Sequence, residues 1–244
     1  MNDAAVQGPG LVHYLPIATT LVSAAFFVVL IRRYLIRRTG THLLWWATGV
    51  FFYGVGTAIE SYVTLAGNSP VVNKAWYIAG ALLGGYPLAQ GTVYLLFPRR
   101  IAHGLTGISL PLVIGLSALV ILSPTRMEAL EPFRPGGAAI GWQWIRPLTP
   151  MVNGYAALFL IGGAVLSALR YAQDPSTRHR AIGNALIAFG AILPGIGGGM
   201  AKAGLVEALY VGEFVGILFI WAGYASCVGR SDVSSLPAAT ANSV

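Results

Sequence analysis

Seven stretches of this chain are each long and apolar enough to cross a lipid bilayer. Nothing else in it constrains the fold as strongly. They fall at 11–36, 41–66, 71–97, 101–123, 148–172, 179–202 and 204–228. A helix needs about 20 residues to cross roughly 30 Å of hydrocarbon. Lipid offers a backbone no hydrogen-bond partner, so only helices or closed barrels span it. These runs are too long and too continuously apolar for barrel strands. The expectation is an all-α, polytopic membrane protein with seven transmembrane helices. They form one domain over 1–230, followed by a polar tail at 231–244 with the composition of a flexible segment.

Composition agrees. The chain is 56% hydrophobic and only 9% charged, with a mean hydropathy of +0.70. A soluble domain has about a quarter of its residues charged. So few charges cannot cover a surface that faces water, and a water-soluble class is excluded. The net charge of +7 sits mostly in short loops beside the apolar runs. It reads as topology and contact with anionic lipid, with no nucleic-acid partner implied. The lone Cys227 is read as a small residue at the end of the last span.

The arginines orient the chain. "MNDAAVQGPG" before the first run has no basic residue, whereas "RRYLIRR" after it holds Arg32, Arg33, Arg37 and Arg38. A secretory signal carries its charge in front. This order places the N-terminus outside and the C-terminus in the cytoplasm of a multi-pass cell-membrane protein. Arg99, Arg100, Arg170, Arg178, Arg180 and Arg230 follow the same side. The longest connection, 124–147, contains "GWQWIRP". Its Trp142 and Trp144 suit an interfacial anchor, or a lid over an outer cavity.

Two carboxylates stand out. Glu60 and Glu213 lie deep in apolar runs, where insertion of a charge costs about 2.5–3.5 kcal/mol. With the orientation above, both fall in the outer half of the membrane. Glu213 lies about 13 Å from the start of its span at 1.5 Å per residue. Tyr53 shares a helix face with Glu60, and Tyr210 shares one with Glu213. On the third span Tyr86, Gln90 and Tyr94 form a stripe, with Trp76 and Tyr77 near its outer end. The expected ligand-binding or proton-handling set is therefore Glu60, Glu213, Tyr53, Tyr77, Tyr86, Gln90, Tyr210 and Trp76. It would line a cavity opening outward, with Lys74 or Lys202 at its mouth. The competing reading is structural, with each acid bonded locally and locking helices together.

Span six carries "LPGIGGGMAKAG". Pro194, Gly195, Gly197 and Gly198 predict a kink or break there, a hinge at the depth of the two acids. Gly80 and Gly84, and Gly212 and Gly216, are spaced for close helix packing. The four histidines, His13, His42, His103 and His179, lie near helix ends and read as interfacial, and no metal site is assigned. No HExxH, CxxC, GxSxG, Walker A or dinucleotide fingerprint is present. The sequence leans away from an enzyme and names no cofactor.

Seven helices with an outside N-terminus resemble the rhodopsin plan, in helix count and topology alone. A retinal protein holds its pigment on a lysine in the last helix, and "LVEALYVGEFVGILFIWAGYASC" has none. The segment "LLWWATGVFFYGVGTAIESYV…WYIAGALLGGYPLAQGTVYLLFPRR" resembles uncharacterised bacterial seven-helix membrane proteins, a likeness that implies no activity. Three functions stand open: a receptor-like protein binding a small molecule or lipid in the outward cavity, a proton- or cation-coupled transporter, and an accessory subunit docking protein partners in the bilayer.

Overall fold

The computed structural model describes residues 10–228, the side chain of Lys202 excepted. The expected tail at 231–244 and Arg230 lie outside the described residues. Among those described, nine α-helices follow one another: α1 (Leu15–Arg37), α2 (Thr41–Ala66), α3 (Pro70–Trp76), α4 (Tyr86–Leu96), α5 (Arg99–Leu122), α6 (Thr149–Ala156), α7 (Gly162–Ala172), α8 (Arg178–Lys202) and α9 (Glu207–Val228). No strand occurs among the described residues. Short π-helical turns, Tyr77–Leu82 and Ala157–Ile161, join α3 towards α4 and α6 to α7.

Helices cover all seven apolar runs, and five of them are long and apolar enough to cross a membrane: Leu11–Arg37, Arg99–Leu122, Gln143–Ala172, Pro175–Ala201 and Glu207–Val228. The protein is accordingly an all-α integral membrane protein. The two runs outside that set are α2 and the interrupted α3–α4 segment. They are also the most enclosed. On α2 the face from Leu43 through Val50, Tyr53, Thr57 and Glu60 to Thr64 is buried, and on α4 every residue from Tyr86 to Val93 is buried. A helix surrounded by protein can carry polar side chains that a lipid-facing helix cannot. The most apolar span, α5, is also the least buried.

Helix α2 packs against α1 and α4. Helix α9 packs on α1 and, most extensively, on α8, and α7 lies against α8. Glycines set the α8–α9 contact. A Cβ at Gly190 would stand 2.6 Å from the Gly216 carbonyl oxygen, one at Gly197 2.6 Å from that of Ala208, and one at Gly212 2.7 Å from that of Leu193. The expected break at Pro194 is absent, and α8 runs through it without interruption. The proline ring is accommodated by Gly216 on α9. Gly197 belongs to that contact, while Gly195 and Gly198 meet open space. Irregular backbone occurs instead in the two π-helical turns.

The short turns have local causes. Between α1 and α2, Arg38 and Gly40 take positive φ (49° and 96°), a conformation glycine adopts freely. Between α7 and α8, Asp174 accepts the Ser176 amide at 2.8 Å. That amide holds the exposed Asp174 carboxyl below its usual pKa.

The 124–147 connection is ordered. Arg126 donates its amide to Ala139, and Gly141 donates to Pro124. Ile140 and Ile145 are buried. Asn73 on α3 pins the loop, accepting from the Gly136 amide (2.8 Å) and donating to its carbonyl (3.0 Å). Trp142 and Trp144 stack, and Trp144 is 56% exposed. Lys74 caps the end of α5. Its Nζ donates to the carbonyls of Ile121 (3.0 Å) and Ser123 (2.5 Å) at the end of α5, where a cation satisfies orphan carbonyls and the helix dipole.

Candidate functional site: a carboxyl pair and a cavity at opposite ends of the bundle

Helix α2 brings Glu60 into the bundle, and the side chain is 1% exposed. Its Oε1 accepts the indole N–H of Trp76 at 2.8 Å. The local backbone explains why the indole reaches it. Gly56, one turn before Glu60, lies against Gly80 of the first π-helical turn, and Gly80 has no side chain to displace the Trp76 ring. Glu213 comes from α9. The Tyr53 hydroxyl donates to its backbone carbonyl at 2.8 Å, tying α2 to α9. That bond brings Glu60 and Glu213 to the same part of the α2–α9 contact. Glu60 Oε2 and Glu213 Oε2 are buried and receive no donor from any other residue among those described. Tyr210, 1% exposed, lies one turn earlier on α9, its ring edge-on to His13 at 5.7 Å.

An ionised carboxylate only accepts hydrogen bonds, so a bond between two carboxyl groups requires one of them to carry a proton. Two like charges brought together in a low-dielectric interior repel, so the arrangement is sensitive to whether one carboxyl is protonated.

The rest of the expected set lies elsewhere. Gln90, 0% exposed, donates to Thr106 Oγ1 (2.6 Å) and accepts from the Tyr155 hydroxyl (2.6 Å). The Tyr86 hydroxyl pairs with Ser109 Oγ at 2.9 Å. Tyr94 pairs with His103 at 2.9 Å and accepts from Thr106 at 3.2 Å. This network joins α4, α5 and α6. Thr106, Ser109 and Tyr155 were not foreseen, although Thr106 and Ser109 share a face at i, i+3. Tyr77 is bonded to Thr149 at 2.6 Å. The structure thus brings Tyr53, Glu60, Trp76, Tyr210 and Glu213 together, with the Tyr77 ring edge-on to Trp76 at 6.4 Å, and places Tyr86 and Gln90 in a different network.

A cavity of about 400 Å³ lies at the other end of the bundle. Its walls come from the ends of α1, α4, α7 and α9 and the starts of α2 and α8. Arg33, Arg37, His42, Arg180 and Asn184 ring the mouth, and Val50, Leu88, Leu160 and Ile220 form the floor. None of the expected ligand-binding residues lines it. Position along the helices separates it from the carboxyl pair: Tyr53 lies between Val50 and Glu60 on α2, and Ile217 lies between Glu213 and Ile220 on α9. The sequence signal for this site was the i, i+4 spacing of Arg33 and Arg37, which had been read only as topology.

No family model, curated protein or solved structure matches this chain.

Proposed function

We propose that the protein is a proton-coupled membrane carrier for a small molecule, with the Glu60–Glu213 pair as its proton site and as the gate on the closed side. The observation that carries the reading is the approach of the buried Glu60 on α2 and the partly buried Glu213 on α9 at one end of a bundle whose cavity lies at the other. A carrier needs access at one face, closure at the opposite face, and an ionisable element that biases the closure. The cavity supplies the first. Tyr53, Trp76 and Tyr210 around the pair supply the second, and the shared proton supplies the third. In this reading all seven helical segments cross the bilayer, N-terminus outside, and the arginine-ringed mouth faces the cytoplasm.

The test is a distance. Spin labels at Leu65 and Glu207, near the adjacent ends of α2 and α9, are introduced in a Cys227→Ser background. Their separation is read by pulsed electron resonance across pH. The expected result is a longer distance as pH rises and the shared proton leaves, and a constant one after Glu60→Gln plus Glu213→Gln. A distribution that ignores pH, or shifts equally in the double variant, removes the gate.

A second reading, a subunit of a larger membrane assembly, has one observation in its favour. Gly104, Gly107 and Gly115 on α5 and Gly195, Gly198 and Gly199 on α8 meet nothing within 4 Å. A monodisperse monomer after mild solubilisation counts against it.

A further inference from the structure

We infer that His13 is the group through which the Glu60–Glu213 site exchanges its proton with the outer solution. The inference rests on the proton site proposed above and adds its route of access. His13 lies in the one-turn 3-10 helix Leu11–Tyr14 that leads into α1. That turn packs against α1, α2 and α9. Two contacts fix the position of His13. Its backbone carbonyl accepts the Thr64 hydroxyl at 3.2 Å, and its ring stands edge-on to Tyr210 at 5.7 Å. Thr64 follows Glu60 by four residues on α2, and Tyr210 precedes Glu213 by three on α9, so each shares a face with its acid. The two helices run in opposite directions, so both contacts are displaced from the acids towards the same end, by about one turn, or roughly 5 Å. His13 therefore forms the next layer over the acids, bridging the two helices that carry them. It is half-buried, whereas Glu60 is 1% exposed.

Three polar atoms in this region are buried and have no hydrogen-bond partner among the described residues: His13 Nδ1, Glu60 Oε2 and Glu213 Oε2. One comes from each of the three elements that meet here. Leaving such an atom unpaired costs about 1–3 kcal/mol, and a site that passes protons through water is one reason to keep it. Histidine suits the task because one ring nitrogen can take a proton while the other gives one up, in the neutral range of pH. On loading, a hydronium ion outside protonates Nε2, and the Nδ1 proton passes to a carboxylate of the pair through one water molecule. The ring ends neutral, with its proton on Nε2. On release to the same side each transfer runs backwards. The other titratable or charged groups around the turn are Tyr14 beside it, Glu60 on α2, and Glu207, Tyr210 and Glu213 on α9. Glu131 and Arg134 lie on the 124–147 connection, where their carbonyls hold Asn68 just after α2, and they pair with each other.

The test is a rate. The full chain in nanodiscs is taken through a pH jump by stopped flow, and tryptophan fluorescence is followed. Trp76 donates to Glu60 Oε1 at 2.8 Å, so a change of protonation there alters its emission. The signal of the site is the part absent from Glu60→Gln plus Glu213→Gln. In His13→Ala and in His13→Gln the expected result is the same amplitude reached at least tenfold more slowly. Imidazole added to the buffer restores the rate in His13→Ala. Both substitutions keep the backbone carbonyl that holds Thr64, so the turn stays docked.

An unchanged rate in both variants overturns the inference and leaves the proton site standing. A slow rate that imidazole does not restore, or loss of the amplitude in both variants, gives His13 a structural role and overturns it equally. A parent whose signal matches that of the double glutamine variant removes the proton site itself, and the route to it.

Discussion

Replacing Glu60 by glutamine separates a proton site from a structural carboxyl pair. In the Glu60→Gln variant the side-chain carbonyl would still accept the Trp76 indole N–H, as Glu60 Oε1 does at 2.8 Å. The new amide nitrogen would donate to the Glu213 carboxylate, replacing the shared proton with a fixed one. Every hydrogen bond is conserved, so at low pH the variant should match the parent to within about 1 kcal/mol. At high pH the two should diverge. On the proposed reading the parent loses the proton and faces a repulsion on the order of a few kcal/mol between two nearby like charges, less whatever helix separation and water entry relieve. The variant carries a single negative charge, on Glu213, which still receives a donor and faces none of that repulsion.

The sign follows directly. Stability that depends on the bound proton is complete while the proton is held and is lost as pH rises. In a chain this size each 1 kcal/mol moves Tm by roughly 2–4 °C, so even a fifth of the repulsion is measurable. The assay is thermal unfolding in detergent across pH, followed by tryptophan fluorescence, for the parent, Glu60→Gln and Glu213→Gln. The parent should lose Tm as pH rises, and the variants should not. Parallel Tm–pH curves would falsify the shared proton, leaving an ordinary buried hydrogen bond.

Other outcomes follow from the same geometry. Trp76→Phe removes the donor to Glu60 Oε1 and should cost about 1–3 kcal/mol in thermal unfolding; Tyr53→Phe should cost only about 1 kcal/mol, because the Glu213 carbonyl lies within a continuous helix. Gln90→Leu removes the acceptor of the Tyr155 hydroxyl and should destabilise by about 1–3 kcal/mol without altering the pH dependence of Tm, a separation that a single continuous site would not show. Gly190→Val and Gly212→Val should each cost at least about 1–3 kcal/mol by forcing α8 from α9, whereas Gly198→Ala, which meets open space, should stabilise α8 by up to about 1 kcal/mol. The stabilising effect of the Asp174 cap should be present above the ordinary aspartate pKa near ~3.9 and fade as pH falls through the depressed folded-state value, so the Tm gap between parent and Asp174→Ala narrows in acid.

Depth was legible in advance and direction was not. Counting residues along a span is enough to put Glu60 and Glu213 at one level, because the helical rise is constant. Tyr86 and Gln90 had been expected to line the same cavity, yet α4 turns them towards α5 and α6. Hydropathy mistook enclosure for weakness: α2 and the α3–α4 segment are the less apolar runs because protein, rather than lipid, surrounds them. The helix is not broken at Pro194 because Gly216, whose bare backbone on α9 makes room for the ring, lies beside it, and local propensity says nothing of Gly216. The cavity escaped notice because its walls come from six helices, and no short window of sequence contains it.

The sequence alone determined a helical, membrane-embedded chain with charge gathered in its loops and two acids in its interior. Those properties follow from the chemistry of each residue and its neighbours along the chain, since every segment must meet the bilayer's demands by itself. Only the tertiary structure decided that the acids face each other, that the polar stripe on α4 belongs to a different network, and that the cavity lies at the arginine end. Each of these depends on the rotation of one helix about its axis relative to another, which is set by side chains and glycine gaps on partners distant in sequence.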